Sequence, residues 1–207
     1  MTVQPTLRTA HLFLAPFRFS DAPEIARLAD DPAIADTAVR MPYPYPQGMA
    51  TAWIAASIAG WTNGRCAVWK IVRAGDGVLI GSVGLTIDPA NRNAELGYWI
   101  RTDAWGRGYA TEVAVAAVAF AFGPLGLHRV HASCLRRNPA SARVLEKAGL
   151  RLEGCRRGHL FHRGRFEDVL KYGVVEGDLR PSRDEEGKEP RVPGNPGPRR
   201  YLETADL

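Results

Sequence analysis

The sequence predicts an α/β fold built on one sheet of mixed strand direction. Three observations carry this. Strand-like and helix-like stretches alternate in the order β, α, α, β, β, β, α, β, α, β, β. Two turns, Ala74-Gly75-Asp76-Gly77 and Arg163-Gly164, fold strands into hairpins. Neither a uniform βα repeat nor an all-helical pattern runs through the 207 residues.

Each element has its own warrant. Residues 11–17 place Leu12 and Leu14 on one face and Phe13 and Phe17 on the other, as a strand does. Ser20-Asp21-Ala22-Pro23-Glu24 supplies a cap, an early proline and a supporting glutamate, and Ile25, Leu28 and Ala29 give the helix that follows its apolar stripe. Pro42-Tyr43-Pro44-Tyr45-Pro46 interrupts the chain before a helix over about 47–59. The β-rich runs 66–72 and 78–86 flank the first hairpin turn. A strand over 95–101 meets a glycine turn and a helix over about 108–122, small or apolar nearly all round and so expected to be buried. A strand over 128–135, a helix from Pro139 to Lys147 closed by Gly149, and strands over 150–162 and 165–175 complete the domain.

That domain spans residues 7–176. Residues 177–207 form a Pro-, Gly- and charge-rich tail expected to be mobile, since large apolar residues nearly vanish there. The body carries 21 basic against 15 acidic side chains, which suits an anionic ligand or simple solubility. No run of five basic residues and no aromatic-basic interleaving points to nucleic acid. The longest near-unbroken apolar run, Val113 to Phe122, is ten residues, short of the roughly 20 that cross a bilayer, and the first residues lack a secretory signal pattern. Cys66, Cys134 and Cys155 make neither a disulfide framework nor a zinc pattern, so no metal and a cytoplasmic location are expected.

Two constellations carry chemistry. In the first, a strand ends, Gly106 and Gly108 alternate around Arg107, and a helix begins. Unpaired amides at a helix start carry about half a positive charge, so a phosphate fits there; a tight strand-to-helix turn is the plainer explanation. A Walker loop is absent, and Thr111 stands where the dinucleotide fingerprint needs a third glycine. In the second, Asn138 either caps the 139–147 helix or, with Ser141 one turn on, presents an amide and a hydroxyl to a ligand.

The pair Glu95-Leu-Gly-Tyr-Trp…Trp105-Gly-Arg-Gly-Tyr-Ala-Thr-Glu and Asn138-Pro-Ala-Ser-Ala…Glu146-Lys-Ala-Gly resembles the GNAT superfamily of acyl-CoA-dependent N-acyltransferases over about residues 7–175. It is most similar to the RimJ/RimL-like branch, which acetylates ribosomal-protein N-termini. The resemblance implies a mixed, mostly antiparallel central sheet of about seven strands flanked by about four helices. It implies acetyl-CoA as acyl donor, with Ile100 and Arg101 offering backbone groups to pantetheine. Gly106, Arg107, Gly108, Tyr109, Ala110 and Thr111 would hold the pyrophosphate, and Asn138 and Ser141 would sit against the thioester. Trp105 departs from the Gln or Arg many relatives have, but leaves the amides intact.

The implied reaction is direct acetyl transfer to a primary amine: a protein N-terminal α-amine or a small-molecule amine. An α-amine with pKa 7.7–8.0 costs about 1 kcal/mol to deprotonate at pH 7, and a lysine about 4.6 kcal/mol. Glu95 is the candidate base and Ser141 the candidate donor to the departing sulfur; a surface carboxylate and a satisfied helix turn are the alternatives. His162, Glu167 and Asp168, with Tyr43, Tyr45 and Trp53, are candidates to face the acceptor. Cys134 has no histidine spaced to activate it. A non-catalytic acyl-CoA-binding or regulatory module and a longer acyl donor are the competing readings. A monomer or homodimer is expected.

Overall fold

A computed structural model describes residues 3–179, so the expected mobile tail lies almost wholly outside the described residues. The strands are β1 (Leu7–Arg8), β2 (Leu12–Pro16), β3 (Cys66–Arg73), β4 (Leu79–Asp88), β5 (Asn93–Ile100), β6 (Arg129–Leu135), β7 (Arg151–His162) and β8 (Arg165–Val175). The helices are α1 (Ala22–Ala29), α2 (Pro32–Thr37), α3 (Met49–Thr62), α4 (Tyr109–Phe122) and α5 (Pro139–Lys147). One sheet runs in the order β1-β2-β3-β4-β5-β6-β8-β7. Every neighbouring pair is antiparallel except β5 and β6.

The sheet has eight strands because Leu7 and Arg8 pair with Leu14 and Phe13, a ladder too short for any periodicity to show. The fifth helix is α2, whose single turn and a half starts where the Asp31 carboxylate accepts the Ala33 N–H at 2.8 Å and Pro32 takes the first position. At the start of α1 the Asp21 carboxylate instead accepts the Arg18 N–H and pairs with Lys70 Nζ at 2.7 Å, which ties the helix entry to β3.

Helices cover both faces of the sheet. Beneath α4 the core gathers Leu12, Trp69, Leu85, Leu96, Val113, Ala117, Val130 and Tyr172. Trp69 stacks edge-on against Phe120 at 5.0 Å, and its indole N–H finds the Pro5 carbonyl at 2.8 Å. Truncating so large a buried ring to alanine costs about 3–5 kcal/mol. On the opposite face α1 and α3 enclose Phe17, Ile25 and Ile54, with Trp53 edge-on to Phe17 at 4.9 Å. The expectation that α4 is buried all round holds only for its inner face: Val115 is 46% exposed and Ala119 is exposed, because one side of the helix meets the sheet and small side chains lose little by facing water.

The parallel pair sets up the site. β5 and β6 pair only over Asn93–Glu95 and Arg129–His131. Beyond those rungs Leu96–Ile100 and Ala132–Leu135 run on without bonding each other, so a cleft opens through the sheet between them.

Candidate active site

Alternation along β5 decides which groups face the cleft. Arg101 N–H donates to the Ile80 carbonyl at 2.8 Å, so odd-numbered residues direct their backbone to β4 and the backbone groups of Leu96, Tyr98 and Ile100 point the other way. The expected offer of backbone from Ile100 is therefore geometrically open, but that from Arg101 is not. Both of its backbone groups are used internally, its carbonyl accepting the Ala104 N–H at 3.0 Å, and its guanidinium pairs with Asp103. The Ile100 carbonyl is taken too, by the indole N–H of Trp105 at 2.7 Å, which leaves the N–H of Ile100 and both backbone groups of Tyr98 facing the gap. Trp105 is thus a latch between the strand end and the glycine turn.

The turn itself has the form its glycines require. Gly106 and Gly108 have φ of +73° and +81°, left-handed values that cost other residues about 1–2 kcal/mol. A Cβ added at either would meet nothing within 4 Å, so the space above the turn is open. Gly108 occupies the N-cap of α4 with no side chain bonded back to the helix, so the first-turn amides, those of Tyr109, Ala110 and Thr111, lack an internal cap. Arg107 is exposed beside them. An anionic diphosphate fits a convergent, uncapped helix start with a guanidinium at its edge. Glu112, one turn in, is spoken for: its carboxylate accepts from the His11 N–H at 2.8 Å and meets His11 Nδ1 at 3.0 Å, fastening α4 to β2.

At the other strand, Asn138 is the cap of α5, its side-chain oxygen accepting the Ser141 N–H at 3.1 Å. The Ser141 hydroxyl lies 2.8 Å from the phenol oxygen of Tyr98 across the cleft. Tyr98 was not legible as a site residue from sequence motifs, although its place two residues before Ile100 puts it on the same strand face. Burial pushes its phenol up to about 12, only partly opposed by the bond to Ser141. It stays protonated, so it can donate to Ser141 and free the serine proton for another acceptor. Cys134 lies in the same quarter, and burial pushes its thiol up to about 11, with Glu146 adding to the effect and Ser141 opposing it. A protonated thiol is a poor nucleophile.

Glu95 and His131 form the last rung before the strands part. Ala94, Leu96, Val130 and Ala132 belong to the core under α4, so Glu95 and His131 project from the other face. Arg40 Nη2 donates to Glu95 Oε2 at 2.6 Å, leaving Oε1 without a partner among the described residues. His131 is half-buried and lowered, first by burial and then by Arg129 and Lys171, with Glu95 and Glu153 acting against them. The sheet thus carries a carboxylate on one side of the cleft and a hydroxyl pair on the other.

The remaining acceptor candidates divide. Glu167 is buried and receives Arg137 Nε at 2.7 Å and Arg165 Nε at 2.6 Å, while Arg137 also grips Asp36 at the end of α2. His162 Nε2 reaches the Asp36 carbonyl at 3.2 Å, so this cluster joins α2 to the β7–β8 hairpin and walls the cleft mouth. Asp168 bonds the Gly158 N–H at 2.8 Å and Arg136, a structural role. Tyr43 is 46% exposed under the Arg163 guanidinium, 5.7 Å from ring centre, whereas Tyr45 and Trp53 pack in the smaller core. Among the described residues no three His, Cys, Asp or Glu side chains are grouped to hold a metal, and no helix is long and apolar enough to cross a membrane.

Comparison with known proteins gives this geometry a lineage. Residues 11–151 match the Acetyltransferase (GNAT) domain. The chain is 36% identical over 108 residues to the uncharacterized N-acetyltransferase YoaA of Bacillus subtilis, spanning 52% of this chain and 61% of that protein. It is 33% identical over 99 residues to the ribosomal-protein-serine acetyltransferase of Escherichia coli, spanning 47% and 55% respectively. The chain thus matches little more than half the length of these two relatives. In fold it is similar to RimL, the ribosomal L7/L12 α-N-protein acetyltransferase solved with coenzyme A, at a TM-score of 0.77 and 20% identity over 83% of this chain and 98% of that one. The splayed strand pair, the glycine turn and the capped α5 helix lie within a matched region that covers most of the chain, and the chain belongs to the GNAT acetyltransferase family.

Proposed function

We propose that this protein is an acetyl-CoA-dependent N-acetyltransferase that moves the acetyl group directly to a primary amine, of RimJ/RimL-like type, with a protein N-terminal α-amine as the favoured acceptor. One observation carries the reading: a parallel strand pair that parts after Glu95 and His131, with uncapped α4 amides at the far end of the gap. The amides of residues 106–111 and Arg107 would hold the pyrophosphate, and the inward N–H groups of Tyr98 and Ile100 would pair with the pantetheine arm. Asn138 sets Ser141 in place by capping α5.

The roles of the side chains follow from their faces. Glu95 takes the proton of the acceptor amine, directly or through one water, using the oxygen that Arg40 leaves free. Such a base suffices for an α-amine, whose deprotonation costs about 1 kcal/mol at pH 7. The N–H groups lining β5 polarise the thioester carbonyl. Ser141, supplied by the Tyr98 phenol, donates to the sulfur as the bond to carbon breaks. With Cys134 protonated, no acyl-cysteine step is needed.

The test is thiol release from acetyl-CoA in the presence of short peptides with free N-terminal Ser or Ala, alongside the melting temperature with and without acetyl-CoA. Acetyl-CoA raises the melting temperature and both peptides release thiol if the reading is right. A rise without release from any amine would make the chain an acyl-CoA-binding module instead, and release only with longer acyl-CoAs would change the donor.

A further inference from the structure

Among the described residues, the open face beside the cleft holds a cation that no carboxylate pairs with. Glu95 on β5 stands next to His131 on β6, and Ser133, two residues on, stands next to Lys171 on β8. Tyr172, Val130 and Ala132 face the core under α4, so these four side chains share the opposite face, the one from which an acceptor reaches Glu95. His131, Ser133 and Lys171 are all half-buried.

Lys171 Nζ donates to Ser133 Oγ at 2.6 Å, and among the described residues no carboxylate pairs with it. The acids nearby have other work: one Glu95 oxygen is held by Arg40 and the other is kept for the amine, Glu153 pairs with Arg129, and Glu167 with Arg137 and Arg165. A half-buried ammonium usually has an anionic partner, because a single neutral hydroxyl replaces little of its lost hydration. Ser133 accepts from the ammonium and keeps its own proton to donate. Two donors therefore converge on one point, the pattern that receives a carboxylate.

We infer that Lys171 and Ser133 seat a carboxylate of the acceptor, so that the preferred substrates are amines carrying an acid group a fixed distance from the nitrogen. The inference rests on the acetyltransferase reading for which amine is meant. Two residues along β6 and one strand across give a span of roughly 8 Å from Glu95 to Ser133, on whose hydroxyl the Lys171 ammonium rests. That span suits an extended N-terminal peptide with Asp or Glu at its second or third position. A polyamine would place a second positive charge against Lys171 instead.

Two peptides test this, Ala-Glu-Ala-Ala and Ala-Gln-Ala-Ala with amidated C-termini. Their binding to the CoA-saturated protein is measured by calorimetry, and their KM by thiol release. The wild type is expected to favour the Glu peptide about tenfold in both, the weight of one charge-assisted contact. Lys171→Met abolishes the preference, Lys171→Glu reverses it, and Lys171→Arg restores most of it; unchanged acetyl-CoA stabilisation in each variant shows that it is folded. Equal binding of the two peptides to the wild type, or a preference that survives Lys171→Glu, overturns the carboxylate seat even if thiol is released. Charge-dependent binding that Lys171→Glu reverses, with no thiol release, leaves the seat standing and sinks the acetyl-transfer reading.

Discussion

Replacing Ser141 with alanine separates the chemical role of its hydroxyl from its structural one. The variant removes the partner of the Tyr98 phenol, 2.8 Å away, without touching the Asn138 cap, which uses the backbone N–H of residue 141. The largely buried phenol then keeps only a long contact to the residue 141 carbonyl at 3.5 Å; a lost partner costs about 1–3 kcal/mol, and that remaining acceptor with the half-buried position of Ser141 favours the lower half of that range. For a chain of this size each kcal/mol lowers the melting temperature by about 2–4 °C, so a fall of about 2–8 °C is expected. Loss of a proton donor to a departing thiolate is a larger effect, at least about a hundredfold in kcat. Affinity for acetyl-CoA, which the proposal places chiefly at the glycine turn, should change by less than about threefold. Tyr98→Phe should slow turnover for the same reason, and the double variant should be no slower than Ser141→Ala, because the two hydroxyls act in series. Thiol-release kinetics, calorimetry and thermal melting read the three quantities. Wild-type kcat in Ser141→Ala, or a loss confined to KM, would refute the assignment.

Arg107→Glu and Gly108→Trp should each weaken acetyl-CoA binding tenfold or more by calorimetry; Arg107→Glu should leave the melting temperature of the free protein nearly unchanged, while Gly108→Trp lowers it by about 2–8 °C for its left-handed φ, and unchanged affinity in both would remove the phosphate site from the 106–111 turn. Glu95→Gln keeps an oxygen for Arg40 but cannot take a proton, so kcat should fall about a hundredfold and lose its rise with pH while acetyl-CoA affinity holds. His131 is lowered in the folded protein, so the unfolded chain binds its proton first as pH drops. Stability contributed by the neutral ring is complete above the ordinary histidine pKa of about 6.5 and declines below it. His131→Gln should therefore flatten the fall in melting temperature between pH 7.5 and 5.5, and parallel curves for the two proteins would exclude the histidine.

The fold was largely legible because its main elements are long and strongly patterned. Residues 66–86 show two β-rich runs around a glycine-bearing turn, and the structure puts β3 and β4 there. Elements too short to hold a period, β1 and α2, were not legible, and α2 mattered because it brings Asp36 to Arg137. The glycine turn and the Asn138 cap are local in sequence, and both formed as their spacing implies. What could not be read were partners far apart in the chain. Arg40 meets Glu95 across 55 residues, Arg137 meets Asp36 across 101, and Tyr98 meets Ser141 across 43. The backbone of Arg101 was expected to face a ligand, but which way it points depends on register: being one residue beyond Ile100 turns its N–H toward β4 instead of the gap.

A slot cut clean through a sheet has two doors, and here a carboxylate guards one and a hydroxyl pair the other. On the proposed reading, donor and acceptor reach the carbonyl from opposite sides and need not vacate a shared seat, so both would be aboard when the acyl group changes hands. Initial-rate lines at several fixed concentrations of one reactant should then intersect and not run parallel, and spent coenzyme should compete with its acylated form but not with the amine.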